Sequence, residues 1–359
     1  MVEKIYHLVV QLSKSMKDFG LKEFLKPLLN SMRSFNEYNV KKSLELLFSD
    51  SVNIKMCYPF GILNDSESFF HTAYRPLLSA LPDLERRDMI LIAGTTPEGN
   101  KWVGSMGNYM GTFVKPFLKI PPNGHLVHMR YHEFFCIEEN KIVEMQIIWD
   151  IPELMMQTNS WPMSPQLGAY LCTPSPMTSD GLDDHGDGKE SIDHIKNMLS
   201  DMCLHPENPD PKIMNLDKYW HPKFNWYGPA GIGTGRGIAG FRNWHQIPFL
   251  NAMPDRGRYN DEIVFHFFGD DEYAAVTGWP DMIQTVTNDG WMGIAPAGKK
   301  ITMCSLDFWR IEDGLIRENW VLLDLLDVYY QLGVDVFKRL KEFNKARILG
   351  RISPTEAFL

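Results

Sequence analysis

Two carboxylic acids stand at matching places in this chain, each set among aromatic residues on a segment that alternates like a strand. Glu133 lies in Arg130-Tyr-His-Glu-Phe-Phe135, and Asp307 lies 307 − 133 = 174 residues later in Ser305-Leu-Asp-Phe-Trp309. Alternation puts Glu133 on one face with Tyr131 and Phe135, and Asp307 on one face with Ser305 and Trp309. Burying a charged carboxylate among rings is costly, so its pKa moves toward neutrality, where a general acid or base works at pH 7. The plainer account is a salt bridge at the rim of a sheet. Ser305 could hold a substrate oxygen. The aromatics Tyr58, Tyr109, Tyr131, Trp226, Trp279 and Trp309 could line a pocket for a flat or apolar molecule.

Other titratable groups are weaker candidates. His132 alternates with Glu133 and so faces the opposite side, with His128 and Arg130, a polar face expected between two packed halves. A one-residue slip would turn His132 inward and make it catalytic. Asp150 and Asp324 each open a helix with an acid three residues on, Glu153 and Asp327, so capping explains them and a catalytic role is the alternative. His245 sits on a helix after Phe241 and Trp244, where it could reach a pocket. Gly231-Ile-Gly-Thr-Gly-Arg-Gly237 lacks both the lysine of a phosphate loop and the spacing of a dinucleotide fingerprint, so turn chemistry accounts for it. His128 and His132 are four apart, a ligand pair on a helix but not on a strand. No metal and no cofactor is expected.

The elements that position these groups occur twice. Ile137-Glu-Glu-Asn-Lys-Ile142 through Asp150 to Gln157 returns as Ile311-Glu-Asp-Gly-Leu-Ile316 through Asp324 to Gln331, at the same separation of 174 (331 − 157). Pro76-Leu-Leu-Ser-Ala-Leu-Pro-Asp83 returns as Pro248-Phe-Leu-Asn-Ala-Met-Pro-Asp255, 172 apart, so a small indel lies between. A period this long means a duplicated domain and not a solenoid, whose repeats run about 20–50 residues. The spacing predicts one domain over 1–157, a proline- and glycine-rich linker over 158–189, a second domain over 190–345 and a tail over 346–359. In each half, helices precede a run of strands near 88–94, 101–113, 125–137 and 141–149, and near 261–268, 272–285, 299–311 and 315–322. Helices followed by long antiparallel strands give an α+β layer, one curved antiparallel sheet with helices on its concave face.

Composition narrows the partners. The formal charge is 36 − 45 = −9 with both signs interspersed, which argues against nucleic acid or an anionic membrane. Five cysteines without a CxxC pair read as reduced and buried, and no secretory head or apolar run of membrane length is seen, so a cytoplasmic protein is expected.

These residues resemble the SnoaL-like polyketide cyclase family, of the cone-shaped nuclear transport factor 2-like fold. The resemblance rests on the strand–turn–strand Ile311-Glu-Asp-Gly-Leu-Ile-Arg-Glu318, then Asp324 and Gln331-Leu-Gly333, on His221-Pro-Lys-Phe224, and on the glycine segment leading into Phe241-Arg-Asn-Trp-His245. It implies two cones, cofactor-free proton transfer, and ring closure by a histidine on the penultimate strand and an aspartate on the last. Here the penultimate strand carries Glu133 or Asp307, and the aspartate position holds Ile147 or Val321. The expectation is therefore acid–base chemistry by a carboxylate (a cyclase, isomerase, lyase or hydrolase) on a small, largely apolar carbonyl or hydroxylated compound. The alternative is a non-catalytic binding protein. Single cones dimerise through the outer sheet face, so the halves should pack as an intrachain pseudo-dimer, with homo-oligomerisation open.

Overall fold

The computed structural model describes residues 20–184, 186–205 and 210–349. The helical stretch expected before residue 20 and the tail beyond 349 lie outside the described residues.

In the first half, helix Leu21–Met32 buries Leu25, Leu28, Leu29 and Met32, an i, i+3, i+4, i+7 stripe. Helix Glu37–Leu47 is capped by Asn36, whose side chain accepts from the Asn39 amide. Strands β1 (Phe48–Met56), β2 (Gly61–Leu63), β3 (Glu85–Thr95), β4 (Lys101–Thr112), β5 (Leu126–Glu138) and β6 (Lys141–Trp149) form one sheet in the order β2-β1-β6-β5-β4-β3. The second half repeats the order with β7 (Trp220–Tyr227), β8 (Thr234–Arg236), β9 (His266–Asp270), β10 (Tyr273–Thr277), β13 (Ser305–Glu312) and β14 (Leu315–Leu323); β11 (Met282–Val286) and β12 (Lys299–Met303) pair separately. The sheets are not wholly antiparallel: β1 runs parallel to β6, and β7 to β14, because the first strand returns through helices to lie beside the last.

The long helix of each half carries one π-helical turn, Phe70–Tyr74 and Arg242–Gln246, 242 − 70 = 172 residues apart. Each turn precedes a duplicated proline, Pro76 or Pro248, which lacks an N–H and crowds the preceding carbonyl, so the ladder resets by one residue. Each Pro-Asp that follows pins its loop to a strand: Asp83 accepts from the Thr112 amide at 2.6 Å and Asp255 from the Thr285 amide at 2.9 Å.

The halves meet through the sheet faces opposite the helices. Phe134 contacts its own equivalent, Phe308, with ring centroids 5.0 Å apart, as residues on a two-fold axis must. Gly94 and Gly269 also touch; a Cβ on Gly94 would lie 2.8 Å from the Gly269 carbonyl oxygen, so only glycine permits the approach. His132 donates from Nδ1 to the Leu306 carbonyl at 2.6 Å, and Arg130 donates to the carbonyls of Tyr227, Gly228 and Val321. The two capping aspartates reach across reciprocally. Asp150 accepts from the Ala230 amide at 2.9 Å and Asp324 from the Tyr58 amide at 2.8 Å, while each also caps its own helix.

The second half departs from the first at one end. The strand expected over 272–285 breaks at Gly278-Trp279-Pro280-Asp281 and the one over 299–311 breaks at Cys304, because Pro280 cannot donate to a central ladder. Strand β9 has 5 residues against 11 in β3. The helix that Asp324 opens ends at Gln331 and another begins at Val336, with Gly333 at φ 87° between. Among the described residues no helix is long and apolar enough to cross a membrane.

Candidate active site

The two inward acids occupy the same register and meet opposite environments. Glu133 pairs across the sheet with Ile147, and Asp307 with Val321, so each points from its penultimate strand toward the helices of its own half. Glu133 has no accessible surface. It forms an ion pair with Arg86 and accepts from the Tyr109 hydroxyl at 2.9 Å and Trp149 Nε1 at 3.2 Å. Arg86 also pairs with Asp88 at 2.8 Å, lies 4.0 Å over the Tyr131 ring, and donates to Ser105. Tyr131 donates to Asp88 at 2.7 Å. Glu133, Tyr74, Tyr109 and Tyr131 are 0% accessible, so no water-sized space touches them and this part of the first cone is filled. The paired account of Glu133 holds, and its salt bridge lies at the centre of the cone, not at the rim.

Asp307 instead lines a cavity of about 110 Å³ in the second cone, with Trp226, His245, Arg256, Ser305 and Trp309 on the same wall. Its Oδ1 has no hydrogen-bond partner. Burial lifts the Asp307 carboxyl well above the usual range and the nearby Asp281 carboxyl adds to the lift, while the Ser305 hydroxyl acts in the opposite sense. Asp281 accepts from both the amide and the hydroxyl of Ser305, which staples the two strand breaks together, and burial pushes its carboxyl up to about 7. Ser305 thus stands between two acids that burial shifts upward, two groups able to exchange protons with a bound molecule.

His245 stacks on Trp226 with ring centroids 4.1 Å apart and an 11° tilt. Burial, reinforced by the Arg256 charge, pushes it down to about 3, so it is neutral and its unpartnered Nδ1 faces no protein group. The Trp309 indole N–H is also without a partner. Arg256 donates from Nη1 to Cys203 Sγ at 3.5 Å.

The cavity opens for a sequence reason. Counted by the 172-residue offset, Arg86 falls on Arg258, which is exposed. Strand β3 carries Arg86 to Glu133, whereas the matching residues of the second half lie in the loop and short turn before β9, so no guanidinium closes over Asp307 as Arg86 does over Glu133.

The structure therefore brings Asp307, His245, Trp226, Ser305 and Trp309 together and leaves the other candidates elsewhere. Tyr109 and Tyr131 belong to the closed cluster of the first cone. Tyr58 stacks on Tyr330 and Phe337 from the other half, because Asp324 holds its amide there. Trp279 sits in the strand break, packed against the core and away from the cavity wall. Asp150, Asp324 and His132 lie between the halves, and burial pushes Asp150 and Asp324 up to about 7. Asp281 and Arg256 were not singled out from the sequence. Trp-Pro-Asp inside an otherwise alternating strand was the available sign for Asp281, since proline there signals a break. Among the described residues no group of three or more His, Cys, Asp or Glu could hold a metal ion.

Comparison with known proteins follows the duplication. The family model for SnoaL-like polyketide cyclase matches twice, over residues 28–158 and 209–332. Among solved structures, IdmH from Streptomyces antibioticus, a proposed polyketide cyclase, is 16% identical, with 39% of this chain and 99% of that chain covered and a TM-score of 0.33. A SnoaL-like polyketide cyclase from Agrobacterium tumefaciens C58 is 20% identical, covering 39% and 98% at a TM-score of 0.30. An NTF2-like protein from Burkholderia thailandensis E264 is 12% identical, covering 38% and 94% at 0.30. Among curated proteins none matches this chain.

Proposed function

From the premise that the chain belongs to the SnoaL-like polyketide cyclase family, we propose that its second domain is a cofactor-independent acid–base enzyme and its first a structural partner. The reaction is of the cyclase, isomerase, lyase or hydrolase type, on a small, largely apolar carbonyl or hydroxylated compound. One observation carries this reading. The same inward position is tied up by Arg86, Tyr109 and Trp149 in one copy and presents an unpartnered carboxyl oxygen to a cavity in the other.

Asp307, its carboxyl lifted well above the usual range by burial, is the general acid that donates to a substrate oxygen as charge develops there. Asp281, pushed up to about 7, takes up a proton through Ser305 and returns it. His245 stays uncharged, and Trp226 gives a flat substrate a stacking face. Val321 lines the cavity where the family's ring-closing members carry an aspartate, which favours a second reading: a binding protein without turnover.

The test is Asp307→Asn, which keeps shape and removes titration. After a screen of small carbonyl compounds identifies a substrate, turnover should fall about 10²–10⁴-fold with binding retained. Unchanged turnover refutes the assignment, and binding without turnover in the wild type supports the second reading.

A further inference from the structure

We propose that the second-domain cavity takes a small carboxylate-bearing substrate, held by the guanidinium of Arg256 beside Asp307. The proposal rests on the functional reading above and narrows it to a substrate class.

Arg256 is on the cavity wall, and the contact recorded for its guanidinium is the Cys203 sulfur at 3.5 Å. The buried arginines Arg86, Arg130 and Arg310 have carboxylates: Asp88 and Glu133, Asp150, and Glu312 and Glu318 respectively, whereas Arg256 is half-buried. Arg256 forms no salt bridge among the described residues. Asp281 and Asp307 feel its charge without bonding to it, so its remaining N–H groups are open to an anion from solution, which a guanidinium fork suits.

The cation is held in place before any ligand arrives. Asp255, on one side, is buried and pinned by the Thr285 amide at 2.9 Å. Gly257, on the other, has φ 96° and packs so closely on Cys203 that a Cβ would lie 2.7 Å from it. Both restraints aim one side chain and lower the ordering cost of binding.

The neighbouring acids do not offset the charge fully. Burial pushes Asp281 up to about 7 and Asp307 well above the usual carboxylate range, against the pull of the Arg256 charge. A planar carboxylate suits a single guanidinium fork, whereas a dianionic phosphate calls for several donors and Arg256 is the one cationic side chain among the described residues that line the cavity. Size agrees: a cavity of about 110 Å³, at roughly 10–15 Å³ per water-sized group, holds roughly seven to eleven such groups, a single ring bearing a carboxylate.

The experiment uses the full chain at pH 7 and compares binding of phenylacetate with that of its neutral isostere, phenylacetamide, by titration calorimetry. The wild type should prefer the acid by on the order of tenfold or more. Arg256→Met should abolish the preference and Arg256→Lys should keep part of it. The proposal is overturned if the wild type binds the amide as well as the acid or binds neither, if the preference survives in Arg256→Met, or if inorganic phosphate displaces phenylacetate at equal concentration. Because the readout is binding, such a failure leaves the Asp307 assignment standing. A turnover defect in Asp307→Asn tests that assignment separately.

Discussion

Replacing each inward acid by its amide should give opposite results in the two copies. In Glu133→Gln, one carboxylate that accepts from Arg86, Tyr109 and Trp149 becomes an amide with a single acceptor oxygen. Either amide orientation turns an NH₂ against a buried donor: the Arg86 guanidinium on one side, or the Tyr109 and Trp149 pair on the other. Losing the charged hydrogen bond, or two neutral ones with their donors stranded, costs about 2–4 kcal/mol. For a domain of this size, at about 2–4 °C per kcal/mol, the melting temperature should drop by about 4–16 °C. In Asp307→Asn, burial already disfavours the charged carboxylate that the amide removes and Oδ1 has no partner to lose among the described residues, so stability should hold within about 1 kcal/mol. Thermal denaturation by circular dichroism at pH 7 measures both without any knowledge of the substrate. A neutral Glu133→Gln would mean that the buried ion pair is not closed. A loss in Asp307→Asn as large as in Glu133→Gln would make Asp307 a structural acid and remove the basis for its proposed role.

Three further outcomes follow from other groups. Burial lifts Asp281 to about 7 from an ordinary value near 4, so between those pH values the folded protein keeps a proton that the unfolded chain loses, and the wild type is destabilised as pH rises. Asp281→Asn should therefore gain stability relative to the wild type from pH 4 to pH 7, by up to about 4 kcal/mol, and a pH-independent difference in melting temperature would contradict this. Asp150→Ala and Asp324→Ala each lose a helix cap and a bond to the other half, so each should cost about 1–3 kcal/mol and the double variant about the sum; urea denaturation measures both, and costs below about 0.5 kcal/mol would show that the reciprocal bonds contribute little. With a protease site inserted beside the exposed Met177, cleavage should leave the halves co-eluting on size exclusion, and separation at micromolar concentration would refute the inference that the sheet–sheet contact alone holds them.

Much of the fold could be read in the residues because duplication leaves paired evidence. The separation of 174 residues between Ile137 and Ile311 and between Gln157 and Gln331 marks two copies. Alternation alone separates Glu133 from His132, and the structure puts the first inside a cone and the second against the other half. What stayed hidden depends on contacts between distant segments. Arg86 and Glu133 are 47 residues apart and meet because β3 and β5 flank β4. Asp281 gains its place from a strand break that hydrophobic pattern alone reads straight through. Arg256 follows a duplicated Pro-Asp but has Leu84 as its counterpart, so the repeat gave no hint of it.

The unpartnered polar atoms carry the strongest contrast between the copies. In the first cone, Arg86, Glu133, Tyr109 and the Trp149 indole all find partners, and an interior built this way gains from being closed. Around the second cavity, Asp307 Oδ1, His245 Nδ1 and Trp309 Nε1 have none. Each of these groups is open to a bound molecule, and one left unpaired by a ligand would cost about 1–3 kcal/mol. Here the sheet behind Asp307 is braced from the other copy by Phe134, by His132 on the Leu306 carbonyl and by Arg130 on the Val321 carbonyl. It follows that weakening the first cone should cost more than its own stability: Glu133→Gln should lower the affinity of the second cavity for phenylacetate, although Glu133 lies in the other domain. Calorimetric titration of that variant well below its melting temperature measures the coupling, and wild-type affinity there would show that the two cones stand independently.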